Sequence, residues 1–270
     1  MRVTGQACPR RRDGQGCAPV NEVVVGAGQN AGPEGYAACS CGRRFPLPPA
    51  ARRRLDAVAA GCRAVPPATA EPAAARALDF LLERVVRPAE PTSRLSRPGV
   101  VPLGAPVLHR PTQPVGVISP GLVRFALHMA SVMRAAGGVG LAANQAGAPV
   151  RMLAHDLGRI VPQILVDPRV VGSHGTWTYG EGCLSLRVDG ATADVVRPKV
   201  VTVVATLLDG RVLAVRADEV LARVLQHEVD HLDGIKYVQR LVGAEREAVL
   251  ASVERAGGDL ASLPPRPHGV

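Results

Sequence analysis

Aromatic residues are scarce in this chain, which has three Phe, three Tyr and one Trp among 270 residues. The apolar core must therefore be built mainly from Val, Leu and Ala. Lysine is scarce as well, and the arginines that supply almost all of the basic charge are scattered along the chain. No basic patch is interleaved with the aromatic side chains on which bases stack, so the sequence argues against specific nucleic-acid recognition.

Long hydrophobic runs are also missing. The longest clean apolar run, "VVTVVATLL" (200–208), is shorter than the roughly 20 residues that a membrane helix needs. The first residues, "MRVTGQACPRRRDGQG", carry charges but lack the apolar segment of a signal peptide. We expect a cytoplasmic protein that does not associate with membranes. Because thiols stay reduced in that compartment, the six Cys are interpreted as metal ligands or small buried side chains.

The first 95 residues differ from the rest. They are rich in Gly, Pro, Ala and Arg, contain no His, and carry fourteen Arg against eight acidic residues, a balance that favours polyanions such as RNA. Apolar spacing predicts helices at 51–65 and 71–86. The segment "CSCGRRF" (39–45) is similar to one knuckle of a zinc ribbon; the alternative is a loose extension with two short helices. Without His, a structural zinc site would need four thiolates: Cys8, Cys17, Cys39 and Cys41.

From residue 97 onward the pattern is α+β. A helix is predicted at 121–138, where apolar residues share one face and glycines follow. A second helix is predicted from Asp218, a suitable N-cap, to Leu232, with Gly234 as its stop signal. Strands are predicted at 150–157, 163–171, 199–208 and 211–217, the last two joined by an Asp-Gly hairpin turn. The predicted organisation is an extension (1–95), a catalytic domain (96–250) and a C-terminal tail (251–270).

The segment "QHEVDHL" (226–232) predicts a metal site. His227 and His231 are four residues apart and lie on one face of the helix, which suits two imidazoles that converge on one cation. Glu228 would lie beside the metal, within reach of a bound water. The alternative is a pair of surface histidines. An apolar stripe along the helix argues against it, because burying these polar groups without a shared partner is costly.

The third ligand has two candidates. Glu254 lies downstream, as in one large class of metalloproteases. Cys183 lies upstream in "EGCLS" (181–185) and is the only Cys after residue 62. A further segment, "GGVGLAANQAG" (137–147), has glycines that permit close backbone approach and ends near the amide donor Gln145. It lacks the lysine of a phosphate-binding loop.

Three of these segments together resemble the signature motifs of the peptide deformylase family. They are "GVGLAANQ" (138–145), "EGCLS" (181–185) and "QHEVDHL" (226–232), in the family's order and at similar separations. The segments "GAPVLHRPTQPV" (104–115), "LVDPRVV" and "VVRPKVVTV" also resemble the family, so the likeness covers about 97–245. The resemblance implies small mixed or antiparallel sheets around a central helix that carries the His-Glu-x-x-His motif.

The resemblance implies a metal-dependent hydrolase that removes the N-formyl group from the N-terminal methionine of newly made proteins. A metal-bound hydroxide would attack the formyl carbon. Cys183, His227 and His231 would bind the metal, with Glu228 as general acid and base, while Gln145 and the backbone N–H of Leu184 hold the oxyanion. Val139, Gly140 and Glu181 would line the substrate groove, and Val220, Arg223 and Val224 would shape a pocket for the first side chain.

The thiolate suits zinc or iron(II). The resemblance implies one divalent cation, Fe²⁺, with Zn²⁺, Ni²⁺ or Co²⁺ able to occupy the site. The expected partners are N-formylmethionyl nascent peptides and the ribosome, with the protein itself a monomer. Two alternatives stay open: another metallohydrolase, such as a protease that uses Glu254, and a non-catalytic binder of nascent chains or ribosomal RNA. The sequence departs from the family at Asp167, at the Leu186-Arg187 pair, at Lys236 and at Gln239.

Overall fold

An antiparallel sheet of eight strands organises the part of the fold that the structure describes, and two further strands form a separate antiparallel pair. The computed structural model describes residues 21–25, 34–38, 44–67, 99–157, 162–260 and 263–266. The strands are β1 (Asn21–Val25), β2 (Glu34–Ala38), β3 (Arg44–Pro46), β4 (Gly140–Ala142), β5 (Met152–His155), β6 (Gln163–His174), β7 (Trp177–Glu181), β8 (Ala193–Arg197), β9 (Val200–Thr206) and β10 (Val212–Asp218). Their order in the large sheet is β3-β2-β1-β10-β9-β6-β5-β4, and β7 pairs with β8.

Four α-helices lie in the described ranges, and the α+β prediction is confirmed. Short 3-10 segments occur at Pro106–His109, Ala143–Ala146 and Tyr237–Gln239. None of the described helices is long and apolar enough to cross a bilayer. The α-helices are α1 (Pro49–Ala60), α2 (Pro120–Ala135), α3 (Glu219–Leu232) and α4 (Gly243–Arg255).

The main core lies between α2 and the sheet. Ser119 caps α2 by accepting a hydrogen bond from the backbone N–H of Leu122 at 3.0 Å. The apolar face predicted from the sequence is buried, with Phe125, Met129 and Met133 fully enclosed. They pack with strand residues such as Met152 and Val166, and the cluster around Phe125 consists mainly of Ala, Val and Met side chains.

Three strands of the front extension join the sheet formed by the later part of the chain, although the sequence predicted only helices there. β1 pairs with β10, with Glu22 opposite Arg216, and β2 and β3 follow outward. α1 ends at Ala60, earlier than predicted, and buries Leu55 against Val204 and Ala214 of the sheet. Strands from both sides of residue 95 therefore share one sheet. The helix predicted at 71–86 lies outside the described residues, as do Cys8, Cys17, Cys39 and Cys41.

The residues after 250 also pack with the preceding part of the chain. α4 runs across residue 250, where the sequence analysis began the tail, and its Val253 is buried. Leu260 and Leu263 join the same apolar cluster as Tyr237. The backbone N–H of Arg266 donates to the carbonyl of Gln239 at 2.5 Å. The division into three parts remains a prediction.

The helix α3 follows β10 directly and turns sharply at its end. Asp218 occupies the predicted N-cap position, although its side chain makes no capping hydrogen bond. After Leu232 the chain reverses at Gly234, whose φ is +75°. A Cβ there would lie 2.9 Å from the carbonyl carbon of Arg110, so only glycine fits this turn. The turn brings residues 235–241 back against residues 104–115, where Leu108 belongs to the same apolar cluster as Tyr237.

Lys236 is buried where the family resemblance led us to expect an apolar side chain. It is 1% exposed, and its Nζ donates to the carbonyl of Gly234 at 3.2 Å. No ion pair of Lys236 is found within the described ranges. Burial, together with the charge of Arg266, lowers the pKa of Lys236 to about 8. A lysine that must be protonated in an apolar setting destabilises the fold at neutral pH.

We predict that Lys236→Met raises the free energy of unfolding at pH 7 by about 1–3 kcal/mol. Because the pKa is lowered on folding, the unfolded chain holds the extra proton between about pH 8 and the usual value of 10.5. The wild-type protein should therefore gain stability as pH rises through that window, and the advantage of the variant should shrink. Thermal unfolding of both proteins at pH 7 and pH 10 measures this. An equal difference at the two pH values would contradict the assignment.

Candidate metal centre

The two histidines of α3 face the same site from consecutive turns. The ring centroids of His227 and His231 are 4.9 Å apart with the planes at 75°, and both side chains are buried. The helix is held in place by apolar residues on its other faces, such as Leu225 and Leu232. Asn144 anchors its last turn, because Nδ2 of this side chain donates to the carbonyl of His231 at 2.5 Å.

Cys183 reaches the histidines from the segment that follows β7. A tight turn, closed by a hydrogen bond from the N–H of Leu186 to the carbonyl of Cys183 at 3.0 Å, presents the thiol. Its Sγ lies 3.2 Å from Nε2 of His231. The sulfur and one nitrogen of each imidazole all lie within 4.8 Å of one another, and this is the metal-ligand cluster found among the described residues.

The competing third ligand, Glu254, does not belong to this cluster. It lies on α4 with its side chain exposed. Of the two candidates for the third ligand, Cys183 therefore lies with His227 and His231, and Glu254 lies outside that group.

Glu181 orients the imidazole of His227. Its Oε2 lies 3.0 Å from Nδ1 of His227. Burial alone would raise the pKa of Glu181, but the hydrogen bond from His227 and the charge of Arg197 outweigh it and lower the pKa well below the usual range. Glu181 is therefore an acceptor for the proton on Nδ1 of His227, which leaves Nε2 as the nitrogen that would bind a cation.

Glu181 itself is held by two arginines. Arg197 donates to it through Nε at 2.6 Å, and Arg223 donates through Nη1 at 2.6 Å. Arg197, only 1% exposed, also donates to Asp230 at 2.6 Å, and Arg240 pairs with the same Asp230 from the other side. The charges of Asp230 and Glu181 raise the pKa of Arg197 despite its burial. These five charged side chains form a buried network behind the histidines.

The electrostatics of the three donors suit a cation. Burial lowers the pKa of His231 well below its usual value, which keeps that ring neutral. Burial opposes a positive charge on His227, but the hydrogen bonds to Cys183 and Glu181 outweigh it and raise the pKa of His227 well above the usual value. The ring of His227 is therefore surrounded by groups that favour a positive charge. One thiolate and two imidazoles in a compact, buried group fit zinc or iron(II).

Glu228 lies beside the donors with one oxygen unused. Burial raises the pKa of Glu228 to about 7, with the charge of His227 opposing the shift. Its Oε2 is buried and has no hydrogen-bond partner among the described residues. A carboxylate in that setting is able both to take and to return a proton near neutral pH.

Gln145 faces the site with its amide group. Its Oε1 accepts from the N–H of Ala142 at 2.9 Å, and this fixes the side chain. Its Nε2 then points towards Sγ of Cys183 at 3.4 Å and Oγ of Ser185 at 3.2 Å. A hydrogen-bond donor is thereby held next to the proposed metal ligands.

A groove of about 740 Å³ opens onto these residues. Its walls come from β4, β7, the turn after β7 and α3. Sequence reasoning missed Tyr179 in this wall, and it missed the roles of Arg197 and Asp230 in the buried network. The position of Asp230 directly before His231 was a usable signal. The groove brings together the predicted positions Val139, Gly140, Gln145, Glu181, Cys183, Leu184, Val220, Arg223, Val224, His227 and Glu228.

The sequence model of the family described as polypeptide deformylase matches residues 98–247. The chain belongs to the polypeptide deformylase family. It is 37% identical over 162 residues to a peptide deformylase of Brucella suis, a match that spans 58% of this chain and 91% of that protein. It is 41% identical over 160 residues to "Peptide deformylase 2" of Streptomyces avermitilis, spanning 57% and 84%.

Solved structures of the family have a similar fold. The Synechococcus elongatus peptide deformylase in complex with actinonin matches with a TM-score of 0.57 at 31% identity, over 66% of this chain and 95% of that one. The Thermus thermophilus enzyme matches with a TM-score of 0.54 at 34% identity, over 58% and 93%. Both deformylases are thus covered almost completely, while a third or more of this chain lies outside each match.

Gly140 sets the position of Glu228. A Cβ at residue 140 would lie 2.5 Å from Oε1 of Glu228 and 2.8 Å from Cγ1 of Val224. We predict that Gly140→Ala displaces the carboxylate of Glu228 and lowers kcat for the hydrolysis of a formylated peptide about 100-fold, because catalysis is sensitive to a displacement of about 1 Å. Formate release measures kcat, and metal analysis should show unchanged metal content. Gly116→Ala is the matched control, since nothing lies within 4 Å of a Cβ there. Full activity of Gly140→Ala would show that the close approach is unimportant.

Glu181 should control metal affinity through His227. We predict that Glu181→Gln weakens zinc binding about 10–100-fold, because loss of the charged acceptor releases the ring from its tautomer. Competition with a chromophoric chelator measures the affinity, and circular dichroism reports whether the variant is folded. Glu219→Gln is the control, since Glu219 lies on the same helix in a partly exposed ion pair with Lys199. Unchanged affinity in folded Glu181→Gln would contradict the proposed role.

Proposed function

We propose that this chain is a metal-dependent peptide deformylase that removes the N-formyl group from the N-terminal methionine of newly made proteins. The observation that carries the proposal is the convergence of the donor atoms of Cys183, His227 and His231 within 4.8 Å, in a member of the polypeptide deformylase family. The buried carboxylate of Glu228 and the amide of Gln145 border the same groove.

The three donors would hold one divalent cation, for which we propose Fe²⁺, with Zn²⁺, Ni²⁺ or Co²⁺ able to occupy the site. When bound, such a cation lowers the pKa of a water molecule towards neutrality and polarises a carbonyl group. The thiolate of Cys183 adds electron density and is the ligand most sensitive to oxidation. We therefore expect activity to depend on anaerobic purification.

Glu228 supplies the proton transfers. Its free Oε2 is available to accept a proton from the attacking water, and the same carboxyl then protonates the amine that leaves as the new N-terminus. A pKa of about 7 suits both directions, because neither the acid nor the base form is strongly disfavoured. Formate and the free N-terminal amine are the products.

Gln145 and the backbone N–H of Leu184 would stabilise the negative charge that develops on the formyl oxygen. Because Oε1 of Gln145 accepts a hydrogen bond from the N–H of Ala142, Nε2 is already fixed near Cys183, and little reorganisation is needed during the reaction. The loss of one such donor typically raises the barrier by about 2.7–4 kcal/mol. A formyl group carries only hydrogen on its carbonyl carbon, so a site crowded enough to exclude an acetyl group would still accept it.

The decisive assay is release of formate from formyl-Met-Ala-Ser by protein purified under anaerobic conditions. We predict hydrolysis that disappears when the metal is removed by a chelator and returns when Fe²⁺ is added. Glu228→Gln should lower kcat about 10²–10⁴-fold while keeping its metal, because the proton shuttle is lost and the ligands are not. The absence of formate above the metal-stripped control would overturn the proposal.

A further inference from the structure

The wall of the groove that β7 forms is supported by a stack of one cation and two aromatic rings. The ring of Tyr179 stacks on Trp177 with centroids 4.5 Å apart and planes at 23°. The guanidinium carbon of Arg223 lies 5.4 Å from the centroid of the Trp177 ring. Arg223 is fixed in turn by Glu181 and by the carbonyl of Trp177, to which its Nη2 donates at 2.6 Å. Arg223 therefore links the stack to the carboxylate of Glu181, which also orients His227.

Strand geometry places Tyr179 next to the proposed metal ligands. Side chains alternate along β7, so Trp177, Tyr179 and Glu181 point to one face. Glu181 contacts His227, and Tyr179 lies one step of about 7 Å further along the strand. On α3, Val224 and Val220 lie one and two turns before His227, and they line the same groove as Tyr179. The distance suits an unbranched side chain that extends from a carbon held near the ligands.

Tyr179 is uncovered on this face, in contrast to its neighbours. It is 46% exposed, whereas Glu181 and the cross-strand residue Val195 are buried. One side of its ring lies against Trp177, so the ring is held in place without being part of a core. An aromatic ring held in this way is a suitable contact for a thioether, because sulfur interacts favourably with aromatic rings at about 5 Å.

We propose that Tyr179 is a specificity-determining residue whose ring contacts the thioether sulfur of the substrate's first side chain and favours methionine over an isosteric hydrocarbon. The proposal rests on the proposed function, since it concerns the side chain next to the formyl group. Norleucine is the matched probe, because it replaces the sulfur with a methylene at nearly the same length.

The first test compares kcat/KM for formyl-Met-Ala-Ser and formyl-Nle-Ala-Ser. We expect the wild-type protein to prefer methionine about 2–10-fold, the range that a sulfur–aromatic contact supports. Tyr179→Phe keeps the ring and should keep this ratio, while Tyr179→Leu should bring it close to 1. Thr178→Ala is the control, because Thr178 is exposed on the opposite face of β7 and does not line the groove.

A second measurement does not require turnover. Trp177 is the only tryptophan in the sequence, and it touches Tyr179, so its fluorescence reports on ligands at this wall. Titration of the zinc-loaded full chain with Met-Ala-Ser and Nle-Ala-Ser should give a tighter Kd for the methionine peptide by a similar factor, and Tyr179→Leu should remove the difference.

The outcomes separate this inference from the proposed function. Formate release with an equal methionine-to-norleucine ratio in wild type and Tyr179→Leu overturns the role of Tyr179 and leaves the deformylase activity intact. Loss of the preference in Tyr179→Phe would assign it to the hydroxyl group and also overturn the proposal. If neither peptide yields formate, the proposed function fails, and the fluorescence titration alone decides whether Tyr179 recognises the sulfur.

Discussion

One buried carboxylate, that of Glu181, connects nearly every part of the site. It accepts hydrogen bonds from Arg197 and Arg223 and orients His227, so the β7–β8 pair, α3 and the imidazole are held by a single charge. Buried ion pairs are costly to form, and a partner left alone is strongly destabilising. The network around Glu181 is therefore better explained by the geometry it imposes than by the stability it contributes.

The network extends away from the groove in two directions. Through Arg197 it reaches Asp230 on α3, and through Arg240 it reaches the carbonyl of Arg266 near the end of the described chain. Through Arg223 it reaches the aromatic wall of the groove. The C-terminal segment and the substrate wall thus share electrostatic contacts with the proposed metal ligands, although they lie far apart in sequence.

The front extension changes the setting of α3. β10 runs directly into this helix, and β1 covers the side of β10 that would otherwise be a sheet edge. α1 then packs Leu55 and Ala51 against the sheet, and the N–H of Val65 donates to Oγ1 of Thr206 at 3.2 Å. An exposed edge strand is a site of unwanted pairing, so the added strands protect the strand that positions the histidines.

The sequence predicted the parts of the fold that depend on local periodicity. The apolar face of α2, the Asp-Gly hairpin before β10 and the boundaries of α3 all follow from neighbouring residues. The first strand of the extension, β1, was missed because its pairing partner, β10, is nearly 200 residues away, and no local pattern records that contact; β2 and β3 then pair outward from β1.

The same limit applies to the site. The convergence of Cys183 with the histidines was suggested by the order of three motifs, whereas the buried arginines and the stacked Tyr179 depend on tertiary packing. Lys236 is a further example, since the residues next to it in the sequence gave no sign that its side chain would be buried.

The central claim is that one cation is bound jointly by Cys183, His227 and His231. X-ray absorption of the zinc-loaded full chain tests it most directly, in a background that carries Ser in place of Cys8, Cys17, Cys39 and Cys41 and so lacks the other predicted thiolate ligands. We predict one equivalent of zinc with one sulfur at about 2.3 Å and two imidazole nitrogens at about 2.0–2.1 Å. Cys183→Ser in the same background should remove the sulfur signal. A coordination shell without sulfur, or one unchanged by Cys183→Ser, would contradict the account.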